Sequence, residues 1–170
     1  MISVYILGAG ILYGNGEKIF YDHFRKAWLG EEQPLLGEGF NYIPTIHVVD
    51  IARMIKKIIF DSVEPGYILA VDRGQSTLKD ILLSISGNRE EMISMIDILD
   101  VYEKEWTDFL NINLKMRTSD KFDKNFQWHC EEGICKNIKK VRDEFVRYRG
   151  LLAIKVGIIG APLSKKSTIA

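Results

Sequence analysis

The order of its apolar patterns constrains this chain more than any other feature. The run "ISVYIL", residues 2–7, is β-branched and aromatic and stops at Gly8 and Gly10, which is the pattern of a buried strand. From Lys18 to Leu29, Phe20, Phe24, Ala27 and Trp28 recur at helical spacing, with Gly30 as a stop. The segment "QPLLGEGFNYIPTIH" is turn-rich, with short extended pieces at most. Ile51, Ala52, Ile55, Ile58 and Ile59 then form an apolar helical stripe, and Asp50 at its entry can cap it or favour its positive end. The strand-like "YILAV" follows, and then "STLKDILLSISG", where Thr77 and Asp80 have capping-box spacing and Leu78, Ile81, Leu82 and Ile85 supply the stripe. Strands alternating with helices predict an α/β fold.

Beyond residue 88 the pattern is less regular. "EEMISMIDILDV" suits a helix or a strand equally, and Trp106, Phe109, Leu110 and Leu114 suggest a helix after it. "RTSDKFDKNFQWHCEEG" is polar and irregular and reads as a linker or surface segment. Ile134, Ile138, Val141, Phe145 and Tyr148 line one face of a predicted helix ended by Gly150, and "LLAIKVGIIG" is a second buried strand. With 170 residues and 46% hydrophobic content, the chain suits one globular domain with a short appendage. Its 23 basic and 23 acidic residues give no net charge, so nothing calls for nucleic acid or an anionic membrane as a partner. No apolar run approaches the ~20 residues of a membrane span. The opening has no basic region of a signal peptide, and a cytoplasmic location is expected. Two cysteines make no disulfide framework and fit a reducing compartment.

The C-terminal sequence "IKVGIIGAPLSKKSTIA" has the form of a phosphate-binding loop after a strand. Gly160 opens the loop, and Lys166 and Ser167 stand where a P-loop places its phosphate-binding lysine and its Mg²⁺-binding hydroxyl. ATP with Mg²⁺ is therefore the cofactor pair this loop would take. Lys165 stands where the pattern has its second glycine, and a side chain there hinders close backbone approach to phosphate. A working ATP site within these residues is not expected.

Near the other end, "GAGILYGNG" fails the G-x-G-x-x-G dinucleotide fingerprint, because Tyr13 stands where the third glycine belongs. Another pattern fits. Tyr13-Gly14-Asn15-Gly16, followed by Ile46-His47-Val48 with Asp50 and Ala52, resembles the C-terminal half of the extended short-chain dehydrogenase/reductases, the epimerase-like NAD(P) proteins. The resemblance implies a Rossmann-type fold whose "YGPG"-like loop lies beside nicotinamide and substrate. It does not carry the chemistry, because that family's Tyr-x-x-x-Lys pair has no match: the residues four after the seven tyrosines are Ala9, Glu17, Arg25, Ile46, Val71, Trp106 and Leu152. Ile43 also stands where several members have an arginine for a sugar-nucleotide phosphate. NAD(P) binding is not expected, and no catalytic residue is assigned. His47 reads as a partly buried histidine bonded to backbone near a helix start, in preference to a general base.

An epimerase-like segment running into an adenylate-kinase-type P-loop is similar to the ciliary nucleoside monophosphate kinases that carry an epimerase-like region ahead of the kinase domain. The resemblance covers "LYGNGE", "AWLGEEQP", "GFNYIPTIHVVDIA", "YILAVD", "LKDILLSIS", "LNINLKM" and "RGLLAIKVGIIGAP". It implies residues 1–114 as a partial epimerase-like domain, 115–150 as a polar linker with a basic amphipathic helix, and 151–170 as the first strand and P-loop of a kinase-like domain. The chain reads as a segment of such a protein or a shortened relative. The expected role is a non-catalytic structural module in the axoneme of a motile cilium, with axonemal proteins or tubulin as partners. The alternative is part of an enzyme transferring phosphate from ATP to AMP. Between Lys115 and Arg149 ten basic residues face six acidic ones, a solvated helix face or a dock for an acidic surface such as tubulin. His129, Cys130 and Cys135 lack a convincing fourth zinc ligand, so no metal site is assigned. Trp28, Trp106 and Trp128 read as core or interface anchors.

Overall fold

A computed structural model describes residues 3–61, 63–96, 110–122 and 125–148. The chain begins with strands β1 (Tyr5–Ala9) and β2 (Ile11–Tyr13), then helix α1 (Tyr21–Leu29), strands β3 (Gln33–Leu36), β4 (Tyr42–Ile43) and β5 (Thr45–His47), and helix α2 (Val48–Phe60). It continues through β6 (Gly66–Ala70), β7 (Ser76–Thr77), α3 (Leu78–Ile85) and β8 (Ile93–Ile96). The last helices described are α4 (Gly133–Lys136) and α5 (Ile138–Tyr148). The strands pair in twos: β1 with β6, β2 with β5 and β3 with β8 in parallel, and β4 with β7 antiparallel.

The handover at Gly10 organises the molecule. Tyr5–Ala9 runs beside β6, then Gly10 N–H donates to the Ala70 carbonyl and Ile11 N–H to the Pro44 carbonyl, and the chain continues beside β5. One nearly continuous strand therefore serves two cores. The first core gathers Tyr13, Phe20 and Phe24, Leu78, Ile81, Leu82 and Ile85 of α3, and Val141, Phe145 and Val146 of α5. The second gathers Ile46, Met54 and Ile58, Ile68 and Ala70, and Phe122.

Several local expectations hold. Gly30 ends α1 in the left-handed conformation, and Thr77 with Asp80 forms the capping box of α3. "EEMISMIDILDV" resolves over residues 93–96 as strand β8, because β3 offers it a parallel partner. The expected stripe of α2 is corrected. Met54 and Ile58 are in the core, whereas Ile55 and Ile59 are 45% and 67% exposed. This helix is apolar on two sides, and periodicity could not say which side packs inward. The predicted helix over 134–149 is two helices, α4 and α5, meeting at Asn137. The polar stretch 117–133 carries a 3₁₀ turn at Asp120–Phe122 and sends Phe122 and Cys130 fully into the cores. Trp106, the strand at 151–160 and the candidate loop residues Gly160, Lys166 and Ser167 lie outside the described residues.

Candidate functional site: a buried histidine–carboxylate latch

The matched motifs "YGNG" and "IHVVDIA" meet where β2 and β5 end side by side, with Tyr13 opposite His47 in the register. His47 has extended backbone and is the N-cap of α2, its Nδ1 accepting the Val49 N–H at 3.1 Å. A nitrogen that accepts a backbone donor holds a lone pair, so the neutral ring carries its hydrogen on Nε2. That hydrogen points to Glu144 Oε2, 2.7 Å away on α5. Glu144 Oε1 takes a second bond, 2.7 Å from His129 Nε2. One carboxylate from α5 thus ties together a helix cap and the irregular segment before α4.

The electrostatics agree with this protonation state. His47 is fully buried, and burial lowers its pKa against the opposing pull of Glu144. Burial would raise the Glu144 carboxyl, but the bonds from His129 and His47 outweigh it and hold it below the usual value. Asp50 lies in the first turn of α2, and its carboxylate accepts the backbone N–H groups of His129 and Cys130. Of the two roles expected of Asp50, the cap belongs to His47, while Asp50 lies in the first turn, where it favours the positive end of the helix, and also fastens the incoming segment. Asp72 accepts from Thr45 Oγ1 at 2.7 Å and from Gly74 N–H at 3.0 Å, while burial pushes its carboxyl up to about 7. The buried Tyr13 hydroxyl has no hydrogen-bond partner among the described residues, and burial beside Asp72 drives its pKa strongly upward.

His47, His129 and Cys130 bring possible ligand atoms within 4.8 Å of one another. The hydrogen bonds argue against a metal. A metal at His47 Nε2 would move the ring hydrogen to Nδ1, against the Val49 N–H. Burial pushes the Cys130 thiol up to about 12. Cys130 and Cys135 are both free.

The loop at Tyr13–Gly16 is packed on one side, with Asn15 exposed. Gly14 (φ 88°) and Gly16 (φ 87°) take backbone shapes that side chains disfavour, and both are closely approached. A Cβ on Gly14 would strike the His47 ring, and one on Gly16 would strike the ring of Tyr148. Helix α5 therefore seats Tyr148 on the "YGNG" turn while Glu144 pins the ring beneath it. Further along the same helix, Phe145 stacks on Phe24 at 5.3 Å, and Arg142 Nη2 donates to the Ser84 and Ile85 carbonyls at the end of α3. On its outer side Lys136, Lys139, Lys140 and Arg147, with Asp143 and Glu144, line an open cleft of about 450 Å³.

Sequence reasoning found His47 and singled out His129, but only as a zinc candidate, and it missed Glu144. The available signal was an acid at position 144, between Val141 and Phe145, on the face that the apolar pattern turns inward.

This fold is that of the epimerase- and dehydratase-like NAD-binding Rossmann proteins. The structure superposes on UDP-N-acetylglucosamine 4-epimerase from Bacillus cereus with a TM-score of 0.63 and 16% identity, covering 88% of this chain and 48% of that one. It superposes on DesIV, a dTDP-glucose 4,6-dehydratase from Streptomyces venezuelae with NAD and TYD bound, with a TM-score of 0.65 and 15% identity, covering 88% and 46%. In sequence the chain is similar to a stretch of adenylate kinase 7. It is 36% identical to that protein from Macaca fascicularis over 179 residues, 99% of this chain and 33% of the relative. The Mus musculus protein is 35% identical over 183 residues, 99% and 29%. The chain thus spans about a third of the length of these curated relatives. No protein-family model matches it. Among the described residues no helix is long and apolar enough to cross a membrane.

Proposed function

We propose that the chain is a non-catalytic structural and interaction module of a ciliary, axonemal protein of the adenylate kinase 7 type. The observation that supports this most is the seating of Tyr148 on Gly16, since the epimerase-like resemblance places nicotinamide and substrate beside that turn. A Tyr148 ring packed against Gly16 leaves less room beside that turn for a nicotinamide. His47 supports the same reading, because both its nitrogens are committed, one to Val49 and one to Glu144. No Tyr-x-x-x-Lys pair is present to move a proton or orient a carbonyl. Calorimetric titration of NADH, NADPH and ATP·Mg²⁺ into the purified chain tests the reading. The expected result is no saturable heat from any of them, and saturable NADH binding would overturn it.

The partner surface in this reading is the basic cleft of α4 and α5, which suits an acidic axonemal surface such as tubulin. Cosedimentation with microtubules should be lost at high salt and in a variant carrying Lys136→Glu, Lys139→Glu and Lys140→Glu.

A second reading draws on the kinship with adenylate kinase 7. Within a longer polypeptide, Gly160, Lys166 and Ser167 would hold the phosphates of ATP and its Mg²⁺, as part of a nucleoside monophosphate kinase acting on ATP and AMP. ATP binding by a longer polypeptide that Lys166→Ala abolishes would favour it. Binding indifferent to Lys166→Ala would not.

A further inference from the structure

Away from the latch, α1, α3 and α5 leave a pocket of about 260 Å³ between them. Phe24, Trp28 and Phe145 form its aromatic walls, and Arg89 and Arg142 stand at its rim with the end of α3. Arg89 Nε donates to the Ser86 carbonyl at 2.9 Å, and Arg142 Nη2 donates to Ser84 and Ile85. These bonds fix both guanidinium groups in place at the negative end of α3. Each keeps further N–H donors, and neither forms an ion pair with a carboxylate among the described residues. Other cations on this chain are mixed: Arg73 meets Glu131 at 2.8 Å and Lys57 meets Asp61 at 2.7 Å, whereas Arg53 donates to the Gln127 carbonyl at 2.6 Å.

Two fixed arginines with no carboxylate partner among the described residues, beside an aromatic cavity with room for one large side chain, are complementary to a particular kind of ligand. We infer that this pocket docks a segment of a partner protein in which an aromatic residue is flanked by acidic ones. The aromatic ring enters between Phe24, Trp28 and Phe145, and the neighbouring carboxylates meet Arg89 and Arg142. Aromatic and arginine anchors around a small pocket are the composition of an interface hot spot. Trp28, 43% exposed, and Leu29, 55% exposed, extend the apolar surface beside it. Charge complementarity separates this partner from a basic or purely apolar one, since a basic segment would meet two like charges. The inference rests on reading the chain as an interaction module, and it names a second contact distinct from the cleft of Lys136, Lys139 and Lys140.

Three synthetic peptides test it on the ¹⁵N-labelled chain: GSDDFDDSG, its alanine analogue GSDDADDSG and the basic GSKKFKKSG. The first should shift the Trp28 indole resonance and the Arg89 side-chain resonance. The other two should bind at least about tenfold more weakly, a loss of ~1.4 kcal/mol. Trp28→Ala and Arg89→Glu, both at partly exposed positions, should each weaken the first peptide by about tenfold or more. The inference fails if the three peptides bind alike, if both variants bind normally, or if the shifts map to Lys136–Lys140. It also fails if phenylacetate alone binds as tightly as the peptide, which would make this a small-molecule pocket. None of these results touches the nucleotide titrations, so failure here is distinguishable from failure of the module reading.

Discussion

The first core is enclosed by helices, with α1, α3 and α5 packing their apolar stripes onto it, whereas in the second, among the described residues, the sheet leaves apolar side chains exposed on one face. In the β1–β6 pair, Ile68 and Ala70 are buried inward while Ile6, Tyr67 and Leu69 are exposed on the opposite face. Parallel strands occur almost always with both faces covered. The outer side of α2 continues the pattern, with Ile55, Ile59 and Phe60 all exposed. The contrast separates a closed core from one that leaves apolar side chains exposed. The first core holds the fold and the latch, and beside the second Ile6, Tyr67, Leu69, Ile55, Ile59 and Phe60 are exposed.

The largest expected effect is in the closed core. Leu82→Ala and Phe145→Ala should each cost about 3–5 kcal/mol in urea unfolding, because both are large side chains buried in the first core. A cost of 1 kcal/mol or less would mean that this core is not the stabilising one. The latch comes next. Glu144→Ala removes the acceptor of two histidines and should cost about 2 kcal/mol, with Glu144→Gln losing roughly half as much. Equal losses would show that the carboxylate's charge and second acceptor atom do not matter.

The pH dependence has opposing parts. His47 and His23 titrate lower in the folded chain than their usual 6.5, His23 at about 4, so the unfolded chain takes up protons first and stability falls as pH drops below 6.5. Glu144, held below its usual 4.5, adds a further loss as pH falls through that range. Asp72 acts in reverse. Its folded value of about 7 exceeds its usual 3.8, so its contribution is present at low pH and is lost as pH rises between those values. Thermal melts from pH 7 to pH 5 should therefore show a steeper acid loss in Asp72→Asn than in the parent chain. Parallel curves would contradict the assignment of Asp72.

The smallest stability effects belong to the open face. Ile6→Ser and Ile59→Ser should change stability by about 0.5 kcal/mol or less. They should nevertheless reduce self-association, which sedimentation velocity would reveal as a shift from oligomer to monomer. A parent chain that is already a well-behaved monomer would argue against this face as an interaction surface.

Legibility in the sequence followed the same division. The capping box of α3 and the glycine stop of α1 are local devices, and local spacing displays them. The "YGNG" and "IHVVDIA" segments were recognisable because each is a short run of fixed spacing. What stayed hidden depends on distant partners. Asp50 looks like a helix cap in isolation, and only the arrival of His129 and Cys130, about 80 residues later, reassigns it. Glu144 lies 97 residues from His47, and the choice between Ile55 and Met54 as the inward side of α2 depends on where the sheet lies.

The central claim is that His47 is a structural pin, neutral and hydrogen-bonded at both nitrogens, over which α5 closes the "YGNG" turn. Imidazole ¹⁵N NMR of the intact chain at pH 7 tests it most directly. The account predicts a neutral His47 ring with its hydrogen on Nε2 and contacts between Gly16 and the Tyr148 ring. A charged ring, or a hydrogen on Nδ1 with Gly16 free of Tyr148, would contradict it.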